Sequence, residues 1–159
     1  MPTLGICLGM QMMVIEFARN VLGLQNANSR EMDPSTPHNV IDLMEEQKSI
    51  TQMGGTMRLG TYSCELSTGS KVFEAYGKSH IEERHRHRYE FSSPYRRQFE
   101  QAGMLCTGIN PDSGLVEIVE VPACRWYVGV QFHPEDTGTV LNPNPLFMAF
   151  VKSIISKHQ

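Results

Sequence analysis

Near the start of the chain, Met10, Met13, Val14, Phe17, Ala18 and Val21 recur at helical spacing, with Gly23 placed to stop the helix. Before them, Pro2 to Ile6 reads as the end of a strand. The stretch Gly23–Asn39 is polar and rich in turn residues, so a surface loop is expected. Strand-like runs follow at Val40–Met44, Thr56–Leu59, Tyr62–Leu66 and Arg86–Phe91. Ser93 as cap and Pro94 at the first helical position predict a second helix that buries Tyr95, Phe99 and Ala102 and ends at Gly103. Met104–Ile109 and Leu115–Val121 flank Asn110-Pro111-Asp112-Ser113-Gly114, which predicts a hairpin, and Tyr127–Phe132 is a further strand. The last helix takes Asn144 as cap and Pro145 as its first residue, with Leu146, Phe147, Phe150, Val151, Ile154 and Ile155 on one face. With no internal repeat or linker, the pattern is that of one α/β domain.

Composition narrows the function classes. The chain has 159 residues, 40% hydrophobic and 19% charged, as in an ordinary folded domain. Its formal charge of -3 gives no support for non-specific nucleic-acid or anionic-membrane binding. No apolar run approaches the roughly 18 residues of a membrane span, and no signal segment opens the chain. Cys7, Cys64, Cys106 and Cys124 are scattered without a CxxC pair, so a reduced, cytoplasmic setting is expected. A buried strand beginning almost at Met1 lacks neighbours, which predicts a partial domain whose first strands are missing.

The first candidate chemistry is Gly5-Ile6-Cys7-Leu8-Gly9, a nucleophile elbow with sulfur in place of oxygen. A strand turning sharply into a helix holds the nucleophile above the sheet, and glycines two residues either side remove Cβ atoms from the tight turn. A helix N-terminus favours a thiolate, and the Leu8 N–H points where an oxyanion would form. Spacing alone leaves an inert buried cysteine equally open. Cys64, Cys106 and Cys124 read as core or surface filler. Downstream, the strand Tyr127–Phe132 runs into His133-Pro134-Glu135. A histidine at the C-terminal end of a strand is placed to meet an elbow in the same sheet, with Glu135 fixing its tautomer. Together the three residues make a nucleophile, a base and an orienter.

With Gly5–Gln11 and Gln131–Glu135, the chain resembles the class I, triad-type glutamine amidotransferases. More particular strings (Phe17–Asn20, Asn26–Ser29, Met53–Gly60 and Glu83–Glu90) resemble the glutaminase domain of the CTP synthase family, over Leu4 to about Phe150. The resemblance implies a flavodoxin-like α/β domain, with a central, mostly parallel sheet flanked by helices. It implies that Cys7, His133 and Glu135 hydrolyse L-glutamine, that Leu8, Gln11, Glu31 and Arg88 hold it, and that the Leu8 backbone contributes to the oxyanion hole. An upstream glycine loop would complete that hole. The domain itself would need no cofactor or metal. The complete enzyme would pass ammonia to a synthetase domain using ATP, Mg2+ and UTP, with GTP as activator and Arg58 near the interdomain boundary. A homotetramer is implied for that complete enzyme.

Other readings stay open beside these. Glu31 lies in a polar loop and reads equally as a solvated acid. Arg84, Arg86 and Arg88 alternate with His85 and His87, as in a charged edge strand; a zinc site from His80, His85 and His87 lacks any standard ligand spacing. Asp136-Thr137-Gly138-Thr139 departs from the family pattern after the triad glutamate. Another Cys-His-Glu amidase or γ-glutamyl hydrolase of the same fold, and a non-catalytic remnant, are the competing functions.

Overall fold

The computed structural model describes residues 1–43 and 57–156. The chain runs β1 (Thr3–Ile6), α1 (Leu8–Asn20), β2 (Asn28–Ser29), β3 (Asn39–Leu43), β4 (Arg58–Leu66), α2 (Lys71–Tyr76), β5 (His80–His87) and β6 (Tyr89–Phe91). A 3-10 turn at Ser93–Tyr95 leads into α3 (Arg96–Gln101), then β7 (Leu105–Ile109), β8 (Val116–Glu120) and β9 (Tyr127–Val130). A second 3-10 turn, Pro134–Asp136, precedes α4 (Pro145–Ile155).

Six strands form a sheet in the order β1-β9-β8-β7-β4-β5, and β2-β3-β6 form a smaller one. Strand β8 is buried at every position, so both faces of the sheet are covered. Its residues are shared between two core clusters. Val116 and Val119 join Met10, Val14, Phe17, Ile41, Phe91 and Phe99 beneath α1, α3 and the small sheet. Ile118 joins Val72, Trp126, Val128, Val130, Phe132 and Leu146 beneath α2 and α4. Helices on both faces of one sheet make this an α/β domain.

A mostly parallel sheet was expected, but among the described strands the large sheet is mostly antiparallel. Only β1 and β9 run parallel in the large sheet; β9-β8, β8-β7, β7-β4 and β4-β5 are antiparallel. The cause is local, because short connections such as Asn110–Leu115 can only return a strand beside its predecessor. The two expected strands around Gly60 are one continuous β4, since Gly60 adopts φ 113° without breaking the pairing to β5. Conversely, Arg86–Phe91 is split at Arg88 between β5 and β6, which belong to different sheets. Ala102 and Val21 are exposed rather than buried, as are Val151, Ile154 and Ile155 of α4. Met44 and Thr56 lie outside the described residues. The caps of α4 agree with expectation: Asn144 Oδ1 accepts from Leu146 N–H, and Pro145 opens the helix.

Candidate active site

Cys7 sits between β1 and α1 at φ 51°, ψ -106°, a strained conformation for a residue with a Cβ. Its N–H donates to Val130 O at 2.8 Å, so the junction is tied to the end of β9. Gly5 and Gly129 are register partners in β1 and β9, and both face α1. A Cβ on Gly5 would overlap Met13 Sδ and lie 2.7 Å from the backbone carbon of Gly9; one on Gly129 would lie 3.0 Å from Met10 Cγ. These two glycines let α1 press onto the sheet and start immediately beyond Cys7. Gly9 differs from expectation: a Cβ there meets nothing within 4 Å, so no clash explains it.

The half-buried thiol has three neighbours with chemical consequences. Gln131 Nε2 donates to Sγ at 3.7 Å, Arg86 O lies 4.0 Å from it, and the Leu8 N–H is directed at it. Burial pushes the resting thiol above its ordinary range, and the Leu8 and Gln131 donors only partly oppose it. The expected net thiolate stabilisation by the helix terminus is therefore outweighed by desolvation, and ionisation of Cys7 needs a base. By contrast, Cys64 and Cys106 are buried, and desolvation pushes both thiols up, Cys106 to about 12.

β9 ends at Val130, short of the expected Phe132, and His133 lies three residues beyond it, with its backbone N–H bonded to Arg84 O at 2.8 Å. Its Nδ1 lies 2.7 Å from Glu135 Oε1, while Nε2 is buried and without a hydrogen-bond partner. The carboxylate fixes Nδ1 as the protonated nitrogen and leaves Nε2 as the free base. Cys7 Sγ faces Arg86 O and His133 N–H is bonded to Arg84 O of the same strand, which brings the two segments to one site.

Gln11 is buried behind Cys7, donating from Nε2 to Tyr89 O at 3.0 Å and to Gln131 Oε1 at 3.3 Å; its Oε1 has no partner. Arg88 occupies the break between β5 and β6, with its Nε buried and unpaired. Glu31 is exposed in the turn after β2, where its N–H bonds Ser29 Oγ. Gln131 had no role assigned from sequence. Its signal was a polar residue directly between the apolar Val130 and Phe132, and it is fully buried against both Gln11 and Cys7.

Arg58 is buried, not surface-facing. Its Nη1 donates to Glu90 Oε1 at 3.0 Å and to Glu117 Oε1 at 2.8 Å, and its guanidinium stacks over Tyr62. Burial, reinforced by the Glu117 charge, pushes Glu90 up to about 8; burial raises Glu117 to about 6. Burial and the Arg58 charge hold His85 at about 2 and His87 at about 3, so both imidazoles are neutral. His80 faces solvent and pairs with Glu65, so the three histidines do not converge on a metal.

The model of the class-I glutamine amidotransferases matches residues 1–153, and the chain belongs to that family. Within it, the likeness is to CTP synthases: 67% identity over 99% of this chain with the enzyme of Bacteroides thetaiotaomicron, and 66% over 98% with that of Porphyromonas gingivalis. The chain spans 29% of the length of each. The solved glutaminase domain of Trypanosoma brucei CTPS with bound acivicin superposes with a TM-score of 0.91 at 34% identity, covering 99% of this chain and 61% of that one. A GMP synthase subunit from Thermoplasma acidophilum shares the fold at a TM-score of 0.60 and 16% identity.

Proposed function

We propose that this chain is the glutaminase part of a CTP synthase, with Cys7, His133 and Glu135 as its catalytic residues. His133 Nε2 takes the Cys7 proton as sulfur attacks the side-chain amide carbon of L-glutamine. The tetrahedral oxyanion accepts the Leu8 N–H, and the same proton passes to the departing nitrogen, releasing ammonia and leaving a γ-glutamyl thioester. Water then attacks the thioester with His133 as base, which frees glutamate and restores the thiol. Gln11 Oε1, Arg88 and Glu31 are the groups available to the substrate's polar ends, Glu31 for its ammonium and Arg88 for its carboxylate.

In the complete enzyme the ammonia would meet UTP activated by ATP and Mg2+ in a separate synthetase domain, to which no residue of this chain is assigned. GTP would act as activator, and a cytoplasmic homotetramer is the proposed assembly. Arg58 would affect any GTP response through the fold between β4, β6 and β8, because its guanidinium is committed to Glu90 and Glu117.

The observation that carries the reading is His133, with one nitrogen on Glu135 and the other buried without a partner. The test is glutamate release from L-glutamine, measured on the protein carrying this chain and on Cys7→Ala. Hydrolysis lost in Cys7→Ala with an unchanged fold supports the proposal. Hydrolysis that survives the substitution, or is absent from the native protein supplied with UTP, ATP, Mg2+ and GTP, overturns it.

A further inference from the structure

Strand β5 meets both halves of the candidate site. Its Arg86 carbonyl faces Cys7 Sγ, and its Arg84 carbonyl accepts the backbone N–H of His133. Residue 83 is the next along, with its side chain turned inward. Glu83 is only 2% exposed, and its carboxylate takes three hydrogen bonds. Oε2 accepts from Thr137 Oγ1 at 2.6 Å; Oε1 accepts from Tyr76 OH at 2.7 Å and Asn144 Nδ2 at 2.9 Å. Asn144 also donates to Thr137 Oγ1 at 3.0 Å, and the threonine hydroxyl lies closer to Glu83 than to its other acceptor, Pro134 O at 3.2 Å.

Thr137 is two residues beyond Glu135, at the end of the turn that presents the histidine. Glu135 is half exposed, so packing does not fix it. The turn is anchored by the buried Pro134 and tied at its two ends, by Arg84 O at His133 and by the Glu83 carboxylate at Thr137. Gly138 follows at a place where a Cβ would lie 2.8 Å from Asn144 N, so the chain passes too close to Asn144 for another residue. The segment after Glu135, which departs from the family pattern, is thus built around this carboxylate.

We propose that Glu83, acting through Thr137, is a positioning residue that aims His133 Nε2 at Cys7. The inference rests on the catalytic reading of Cys7 and His133. A serine at 137 keeps the hydroxyl; a valine keeps the shape and removes it. The bond from Thr137 to Glu83 ties the end of the turn to strand β5, and the carboxylate is satisfied by three donors.

The test follows carbamidomethylation of Cys7 by iodoacetamide against pH, quantified on the Cys7 peptide, in the protein carrying this chain. This readout needs no glutamine, so it stands even where hydrolysis fails for other reasons. At neutral pH the thiol ionises by giving its proton to His133; at high pH it ionises unaided. Thr137→Val is expected to slow labelling at least tenfold near pH 7 and to converge with the native rate at high pH. Thr137→Ser should keep the native profile. Glutamine hydrolysis should show the same split, with kcat down at least tenfold in Thr137→Val and KM within a factor of two. Should Thr137→Val not fold, Glu83→Asp decides in its place, since the shorter side chain withdraws from Thr137 and should give the same neutral-pH loss. A native pH profile in either folded variant, or an equal loss in Thr137→Ser, overturns the proposal.

Discussion

Replacing Gly5 with alanine tests how the elbow is built. The added Cβ would overlap Met13 Sδ and lie 2.7 Å from the Gly9 carbonyl carbon and 2.8 Å from its oxygen. Ordinary carbon contacts begin near ~3.5 Å. The methionine is flexible and can turn away; the Gly9 backbone belongs to the first turn of α1 and cannot yield without moving the helix start. Forcing a methyl group into such a space costs about 1–3 kcal/mol. The displacement falls on Cys7, and a shift of about 1 Å in a reacting group costs about 10²-fold in rate. Gly9→Ala is the control, because its Cβ meets nothing within 4 Å and a helical alanine gains roughly 0.5–1 kcal/mol over glycine. Urea unfolding can be followed through Trp126, the single tryptophan, which is 5% exposed in the core. The account predicts a loss of about 1–3 kcal/mol for Gly5→Ala and no loss for Gly9→Ala. Equal effects at the two positions, or a Gly5→Ala protein as stable as the native one, would refute the reasoning.

The remaining predictions concern ionisation. His85 and His87 titrate lower in the folded protein than in the unfolded chain, so their contribution is present above about pH 6.5 and is lost as the pH falls. Glu90 titrates higher when folded, near 8, so its contribution is present at low pH and is lost as the pH rises from about 4.5 toward 8. The unfolding free energy should therefore peak near pH 6.5, and Glu90→Gln should flatten the fall between pH 6.5 and 8. A native protein with no decline over that range would contradict the assignment. Arg58→Met should destabilise by roughly 3–5 kcal/mol in urea unfolding at neutral pH, since it leaves Glu117 buried without its cation and Glu90 without its hydrogen-bond donor; a change below 1 kcal/mol would remove Arg58 from that role. Thiol titration of the native protein should find Cys7 and Cys124 reactive, and Cys64 and Cys106 only after denaturation. Four thiols reacting without denaturant would contradict the burial.

Three of the four described helices and the hairpin were legible because each carries its own local signal; the six-residue α2 (Lys71–Tyr76) was not, and the helix expected from Ser93 opens as a 3-10 turn capped by Ser92 before α3 starts at Arg96. Asn144 and Pro145 mark the start of α4, and Asn110–Gly114 marks the turn between β7 and β8. Sheet direction outside the hairpin was not legible, since a short apolar run such as Tyr127–Val130 reads the same in either pairing, and that strand runs parallel to β1 and antiparallel to β8. The break at Arg88 was hidden for a similar reason: the alternation of charge and ring continues through it, while the pairing partner changes from β4 to β3. At the site, Cys7 and His133 stood out because glycines and a proline flank them. The supporting groups gave no such signal. Glu83 and Thr137 are 54 residues apart in sequence, and their bond arises only from where β5 meets the end of β9. The resting thiol is raised rather than lowered because burial depends on the whole fold, and a helix terminus read from sequence says nothing of it.

The central claim, that Cys7 is a glutamine-directed nucleophile paired with His133, is tested most directly by covalent labelling. The protein carrying this chain would be treated with a glutamine-like diazoketone, digested, and each cysteine peptide examined by mass spectrometry. The account predicts one adduct, on Cys7, that L-glutamine suppresses and His133→Ala greatly slows. An adduct on Cys64, Cys106 or Cys124, or labelling of Cys7 indifferent to both L-glutamine and His133, would contradict it.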